Sequence, residues 1–535
     1  MTEQQTAAAR AAIEAGECAL GIEFGSTRIK AVLVDASGDP VATGKFRWEN
    51  HLENGLWTYG DQEIWDGLAA CYADLKATVA ARYGVTLRKL SAMGVSAMMH
   101  GYLAFNAKDE LLVPFRTWRN VTTTRAAVAL TQRFGFNIPE RWSIAHLYQA
   151  ILNNEEHVPQ LAHITTLAGY VHERLCGERV LGVGDASGMF PVDPETGTYD
   201  AAMVASFDEL VADRGCSWNL LDLLPRVLNA GTPAGALTAA GAALLDREGD
   251  LEPGCPLCPP EGDAGTGMVA TNSVAVRTGN VSAGTSIFSM YVLEHPLAHV
   301  HHEIDVVATP TGHPVAMVHC NTCTSDINAW IGLFLEYNEL AGCKLDRDET
   351  FDVLFKAALA GDPDCGGVVT SPCYSGEPVV GVESGRPLLA RAQNARFTLA
   401  NMMRANLMSA LAALKIGTDI LAEEGVGVDR LLGAGGYLYV PGVGQRLMAA
   451  AMEVPVTVMA NEGEGGPWGM ALLASYLRAA ERGVSLEDYL EREVFAGAET
   501  STMDPDPVDV QGFRDYLEQY KRAVEVEKTA ETVLP

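Results

Sequence analysis

Leu20-Gly21-Ile22-Glu23-Phe24-Gly25-Ser26-Thr27-Arg28-Ile29-Lys30-Ala31-Val32-Leu33-Val34-Asp35 runs from an apolar strand through a turn of glycine and hydroxyl residues into a second apolar strand. A tip of this composition brings backbone N–H groups close to an anion, because no bulky side chain intervenes. The plan recurs far downstream in Thr278-Gly279-Asn280-Val281-Ser282-Ala283-Gly284-Thr285-Ser286-Ile287-Phe288-Ser289. Either stretch alone is compatible with an ordinary hairpin. Two of them facing each other would hold the phosphates of one nucleotide.

Outward from the first tip, strands are expected over 18–23, 29–35 and 41–48, with short Gly/Asp/Ser turns between them, as an antiparallel meander. Apolar spacing predicts a helix over 64–83, and 90–98 reads as a buried strand leading to Met99-His100-Gly101. Helices dominate from about 121 to 175. A Pro/Gly/Cys-rich stretch, 251–267, punctuates the middle of the chain. Strands are then expected from 267 to 293 and over 315–319, followed by helices over 327–338 and 399–424. The order strand, strand, strand, helix, strand in both halves suggests two similar α/β domains.

Composition narrows the partners. A chain of 535 residues exceeds one ordinary core, so two or more domains are expected. The formal net charge of −30 repels nucleic acid and anionic membranes, and neither is an expected partner. A small phosphate ligand stays admissible, since a few local donors outweigh the global sign. No charged segment followed by an apolar core opens the sequence, so no signal peptide is expected. No run of about 18 uninterrupted apolar residues predicts a membrane span. Eleven cysteines scattered without a dense framework fit a reducing cytoplasm. Cys255-Pro256-Leu257-Cys258 has zinc-like spacing but no second pair nearby, and reads as a structural loop. His299, His301 and His302 read as a solvated turn. Residues 1–17 read as a frayed helix or tail, and 506–535 as a charged amphipathic helix and tail.

Several residues around the tips could carry chemistry. Glu23, at the end of the first strand beside the tip, is placed to hold Mg²⁺. Lys30 and Arg28 either add positive charge there or sit on a solvated strand edge. Gly262-Asp263-Ala264-Gly265-Thr266-Gly267 lies about 20 residues before the second tip, and its Asp263 either caps a turn or serves as a general base. Leu431-Leu432-Gly433-Ala434-Gly435-Gly436-Tyr437 is a strand ending in a glycine pair, where a flat base could slide against bare backbone. Glu462-Gly463-Glu464-Gly465-Gly466-Pro467-Trp468-Gly469 then leads into another helix.

These elements in this order, from about residue 18 to 480, resemble the FGGY carbohydrate kinase family, including its xylulokinase-like members. The resemblance implies an α/β fold of two actin-like ATPase domains, ribonuclease H-like with mixed sheets flanked by helices, around a central cleft. It implies an N-terminal domain over 18–275 that binds sugar and carries the catalytic Asp, and a nucleotide-binding C-terminal domain over 276–505. Gly25, Ser26, Thr27 and Lys30 match the first phosphate motif, Gly284, Thr285 and Ser286 the second, and Gly435 and Gly436 the adenosine motif. Asp263 matches the catalytic Asp. Met99, His100 and the Trp118-Arg119-Asn120 stretch match sugar-contacting positions, so Met99, His100, Trp118, Asn120 and Asp263 are the candidate substrate residues. Ser371-Pro372-Cys373-Tyr374-Ser375-Gly376-Glu377 and Asp185-Ala186-Ser187-Gly188 match further family segments.

The chain departs from the family at four places, one of them a longer adenosine loop with Tyr437-Leu438-Tyr439-Val440-Pro441-Gly442 inserted before the helix. Glu23 stands where the first motif normally carries Asp, Asn120 where xylulokinase-like members carry Asp, and His146 and Gln149 in place of a Lys/Trp signature. The expected activity is ATP-dependent phosphorylation of a sugar hydroxyl with Mg²⁺ as cofactor, on a ketopentose such as xylulose or a related ketose. The alternatives are a kinase for another polyol or deoxy-hexulose, and a sugar-independent ATPase or activator on the same fold. The expected partner is a small-molecule sugar, and a homodimer stays open.

Overall fold

The computed structural model describes residues 2–459 and 465–534, so Glu462, Gly463 and Glu464 of the glycine-rich turn lie outside the described residues. The chain forms two compact units. The first comprises Met1–Val274, Val306–Val315 and Gly463–Gly497, and the second Ala275–Asp305, Ala316–Glu462 and Ala498–Pro535.

In the first unit, helix α1 (Glu3–Ala15) takes up most of the stretch read as a frayed helix or tail. Thr2 and Gln5 close a capping box at its start, and Ala9 and Ile13 are buried. Strands β1 (Ala19–Phe24), β2 (Arg28–Val34) and β3 (Pro40–Arg47) form the expected antiparallel meander. Helix α2 (Asp61–Tyr83) opens with acidic residues and ends on Gly84 in the left-handed conformation. Strand β4 (Ala92–Ala97) pairs parallel to β1, and the short β5 (Glu261–Gly262) parallel to β4, giving the sheet order β5-β4-β1-β2-β3.

The near-continuous apolar run of β1 reflects burial on both faces. One face of this sheet carries α2. A helix from far down the chain, Gly466–Ala480, covers β1, β2 and β4. This returning helix lies directly on β1: a Cβ at Gly21 would overlap the Pro467 carbonyl oxygen and the Ala471 nitrogen, so only glycine permits the approach.

Further along the first unit, α3 (Ser143–Leu152) and the single-turn α4 (Val183–Ser187) precede α5 (Asp263–Ala270). The strand expected to begin at 267 is therefore corrected: 263–270 is helical, and the next strand starts at Thr278. Gly265 and Gly267 weaken the local helix signal. What supplies the helix is tertiary packing on the returning helix, whose Gly469 lies against the Thr266 carbonyl.

A seven-stranded sheet lies mainly in the second unit, with parts of two of its strands, within 306–315, belonging to the first. Its strands are β6 (Thr278–Ala283), β7 (Ile287–Val292), β8 (Ile304–Ala308), β9 (Pro314–Cys320), β10 (Arg430–Ala434), β11 (Val456–Met459) and β12 (Thr500–Met503), in the order β8-β9-β7-β6-β10-β11-β12. The hairpin β6–β7 is antiparallel and β10 runs parallel to β6, which repeats the relation of β1–β2 to β4. The duplicated plan is thus present in strand pairing. Helices α6 (Thr324–Ala341), α7 (Leu399–Glu423) and α8 (Val443–Met452) accompany this sheet.

Helix α7 is long and apolar enough to cross a membrane, but 67% of its most apolar window is buried inside the protein. It serves as a core helix. The C-terminal helix α9 (Pro507–Val533) docks beside it. Asp509 there pairs with Arg404 of α7 at 2.6 Å, both side chains almost wholly buried, and also with Arg446 of α8.

Candidate active site

The first tip lies in the hairpin between Phe24 and Ile29, the last pair in the β1–β2 register. Its carbonyls are held from behind. Trp48 Nε1 donates to the Gly25 carbonyl (2.7 Å), Tyr59 Oη to the Ser26 carbonyl (2.7 Å) and the Trp48 N–H to the Thr27 carbonyl (3.2 Å). Trp48 and Tyr59 stack at 4.1 Å, so the support is rigid. The N–H groups of Ser26 and Thr27 have no acceptor among the described residues. A tip with its acceptors engaged and its donors free could cradle an anion.

Glu23 sits one residue before Gly25's neighbour Phe24, opposite Lys30 in the β1–β2 register. Its carboxylate packs against the first residue of the returning helix, where a Cβ at Gly466 would overlap Oε2. Burial, then the nearby negative charge of Asp263, push the Glu23 carboxyl up to about 8, with Lys30 opposing. Two carboxyl groups with so little positive charge between them suit a hard divalent cation, which takes oxygen ligands and would restore ionisation. Glu23 and Asp263 are the residues that could hold it.

Asp263 opens α5. Its Oδ1 accepts from the N–H of Met99 (3.2 Å) and of Ala264 (3.0 Å), while Oδ2 has no hydrogen-bond partner among the described residues. The carboxylate is open to solvent yet ringed by protein, which pushes it up from its ordinary value. The Met99 and Ala264 N–H groups and the positive charge of Arg141 oppose the shift.

The Met99-His100-Gly101 stretch follows β4 and turns sharply, with His100 at φ 69° and Gly101 at φ 88°. A non-glycine residue in this region is strained, and such strain collects where a side chain must be aimed. His100 is buried, donates from Nδ1 to the Gly188 carbonyl (3.0 Å) and stacks on Trp142. Burial and Arg141 push its imidazole down to about 3, so the ring is neutral. Trp118 is 39% exposed and donates from Nε1 to Ser26 Oγ at 3.2 Å, which ties this stretch to the first tip.

Asn120 is buried and turned into the protein. Its Oδ1 accepts from the Trp57 N–H, and its Nδ2 donates to the Trp57 and Thr117 carbonyls, so both amide hydrogens are used internally. Gln149 likewise bonds Ala126 and Asn153. His146 is fully buried with neither ring nitrogen bonded among the described residues.

Three groups near Asp263 were given no role by the sequence. Glu261, two residues before it, accepts from the N–H of Asp185 (3.0 Å) and of Gly184 at the start of α4. Asp185 accepts from Thr166 Oγ1 (2.6 Å) and leaves Oδ1 unpartnered among the described residues. Burial pushes Glu261 to about 8 and Asp185 to about 7, with neighbouring negative charge adding to each. Arg141 is the cation whose charge opposes the effect of burial at Asp263. The sequence signal for Glu261 was its place beside Gly262-Asp263; its burial comes from the structure.

The second tip has the same logic within the second unit. The Gly284 carbonyl accepts from the Thr324 N–H (3.0 Å) and Oγ1 (2.8 Å), and the Thr285 carbonyl from the Cys323 N–H (2.9 Å), all at the start of α6. The N–H groups of Thr285 and Ser286 have no acceptor among the described residues. Gly435, at φ 104°, follows β10 against the root of this tip: a Cβ there would lie 2.5 Å from the Ala283 carbonyl oxygen. Gly436 beside it faces open space. Tip and glycine pair are neighbours because Ser282 pairs with Ala434.

Two α/β units of matching strand plan, each with a glycine-hydroxyl hairpin, define an actin-like ATPase architecture. The sequence relationships agree. Residues 18–249 match the N-terminal domain, and residues 279–478 the C-terminal domain, of the FGGY family of carbohydrate kinases. The chain belongs to that family and is an ATP-dependent carbohydrate kinase.

It is 20% identical to the xylulose kinase of Haemophilus influenzae over 365 residues, which span 65% of this chain and 68% of that one. It is 25% identical to the xylulose kinase of Streptomyces coelicolor over 236 residues, 42% of this chain and 44% of the relative. The ligand-bound xylulose kinase of Lactobacillus acidophilus superposes with a TM-score of 0.76 at 16% identity, covering 95% of this chain and 98% of that structure. At such identity the superposition establishes the fold.

Proposed function

We propose that the chain transfers the γ-phosphoryl group of ATP to a hydroxyl of a ketopentose such as xylulose, with Asp263 as general base. The observation that carries this reading is the state of the Asp263 carboxylate. One oxygen is fixed by two backbone N–H groups and the other has no partner among the described residues, beside a neutral, immobilised His100. A base must be oriented and still have a free lone pair for the incoming proton. The names of the relatives, xylulose kinases, support the ketopentose.

Phosphoryl transfer asks the protein mainly for positioning and charge neutralisation. The free N–H groups of Ser26, Thr27, Thr285 and Ser286 would donate to phosphate oxygens, with Lys30 adding positive charge. Gly435 and Gly436 would leave room for the adenine plane. Glu23 would hold Mg²⁺, which supplies charge neutralisation on the phosphates. Met99 and His100 would form one wall of the sugar site and Trp118 another. Asp263 would take the proton from the sugar hydroxyl as its oxygen bonds to phosphorus and the bond to ADP breaks. Asn120 would act as a support for Trp57.

The test is ADP release from ATP and Mg²⁺ in the presence of ketopentoses, deoxy-hexuloses and polyols, one at a time. Release that depends on xylulose or a related ketopentose supports the proposal. Release that needs another sugar shifts the substrate. Release independent of every sugar overturns it in favour of a plain ATPase.

A further inference from the structure

The segment between β7 and β8 reads as a solvated turn in the sequence, but the fold does more with it. His299 and His301 both converge on Glu424, the residue that caps the C-terminal end of α7. His299 Nδ1 lies 2.8 Å and His301 Nε2 2.7 Å from the same oxygen, Glu424 Oε1. The other oxygen is engaged by the Ala298 N–H at 2.6 Å. The three side chains present one nitrogen, one nitrogen and one oxygen, all within 4.8 Å of one another.

We propose that His299, His301 and Glu424 form a binding site for a divalent transition metal of the zinc class, separate from the Mg²⁺ used in phosphoryl transfer. Imidazole nitrogen is the ligand of choice for such ions, while Mg²⁺ prefers oxygen alone. Two histidines and a glutamate, with water in the remaining position, make a complete zinc coordination set.

The surroundings suit ligation. The Ala298 N–H fixes one carboxylate oxygen and so aims the other, the usual task of a group behind a metal ligand. Without metal, both inward nitrogens donate to Glu424 Oε1; to bind the ion, each imidazole must present that nitrogen bare, with its hydrogen on the outer ring nitrogen instead. The glutamate side chain is 4% exposed and His301 24%, while His299 is 78% exposed. The ion thus has a buried anchor and an open side by which to enter. Once bound, it would tie the β7–β8 segment to the end of α7. Strand β7 begins immediately after Ser286 of the second tip, so the tie acts on the hairpin that carries this tip.

The full-length protein, stripped with chelator and desalted, is titrated with Zn²⁺ by calorimetry and with Co²⁺ by visible spectroscopy. One tight equivalent of Zn²⁺ is expected, together with a rise in melting temperature. The Co²⁺ spectrum should show nitrogen and oxygen ligation without a thiolate charge-transfer band. His301→Gln and Glu424→Gln should each weaken Zn²⁺ binding by more than roughly 100-fold. Metal-free His301→Gln should melt where the metal-free parent does, which separates loss of ligation from loss of folding. Its sugar-dependent turnover in Mg²⁺ should equal that of the stripped parent. No Zn²⁺ uptake, unchanged affinity in both variants, or a thiolate band placing the ion on cysteines would each overturn the site.

Discussion

The carboxylate of Glu23 fills the space that a side chain at residue 466 would need, so Glu23 and Gly466 form a lock between the end of β1 and the start of the returning helix. Gly466→Ala must either expel the carboxylate or lift the first helical turn. Overpacking of this kind costs about 1–3 kcal/mol. A lower melting temperature is expected, with a higher Mg²⁺ concentration for half-maximal turnover. A variant that melts and responds to Mg²⁺ like the parent sinks the lock.

Asp263→Asn keeps the shape and removes the base. Turnover should fall by roughly 10²–10⁴-fold, the range for loss of a positioned general base. ATP affinity, measured by calorimetry, should change little. Near-normal turnover would show that the proton leaves by another route.

Glu23 also sets a pH dependence. In the metal-free folded protein its carboxyl keeps its proton until about pH 8, against an ordinary value of 4.5. Between those values the folded state binds more protons than the unfolded state, so this group's contribution to stability is full below about 4.5 and declines as pH rises towards 8. Glu23→Gln should flatten part of that decline in melting temperature measured in chelator. Part should remain, because Glu261 is raised in the same direction. An identical decline in parent and variant removes Glu23 from the titration.

Gly435→Ala forces a Cβ towards the Ala283 carbonyl at a φ of 104°. Backbone strain of ~1–3 kcal/mol is expected, and roughly tenfold weaker ATP binding if the second tip shifts with it. Thr285→Trp should weaken ATP binding as well by crowding the exposed tip. Nucleotide affinity unchanged in both variants would take this hairpin out of the ATP site.

Asp509→Ala leaves Arg404 as a buried charge with no Asp509 to compensate it. Breaking such a pair costs about 3–5 kcal/mol. Replacing both partners by apolar residues, as in Arg404→Met with Asp509→Leu, should recover much of the loss in a denaturant titration. If the single and double variants are equally unstable, the pair is not what docks α9.

The meander around the first tip was legible because its strands are apolar runs separated by Gly, Ser and Asp, a signal contained in the residues themselves. Helix α5 was not, because its glycines argue against a helix and its support comes from residues about 200 positions away. The two tips were legible as glycine-hydroxyl turns. That their carbonyls are held from behind by Trp48, Tyr59 and the start of α6 was not, since those partners come from other elements. Asn120 is a candidate sugar contact by family resemblance; that its amide meets the backbone of Trp57 across 63 positions was not legible in the sequence. Glu261 went unnoticed because a lone acid beside a glycine is unremarked until burial gives it meaning.

The contact between Gly21 and the returning helix also bears on how the protein is made. The ribosome releases β1 early and the helix that covers it about 440 residues later, which at ~5–20 residues per second is on the order of a minute. For that interval the apolar face of the first sheet lacks its cover, whatever local structure the meander has reached. The nascent chain is therefore expected to be a client of holding chaperones during synthesis. Slowing translation should increase its aggregation more than that of a protein whose sheet is covered by helices close in sequence.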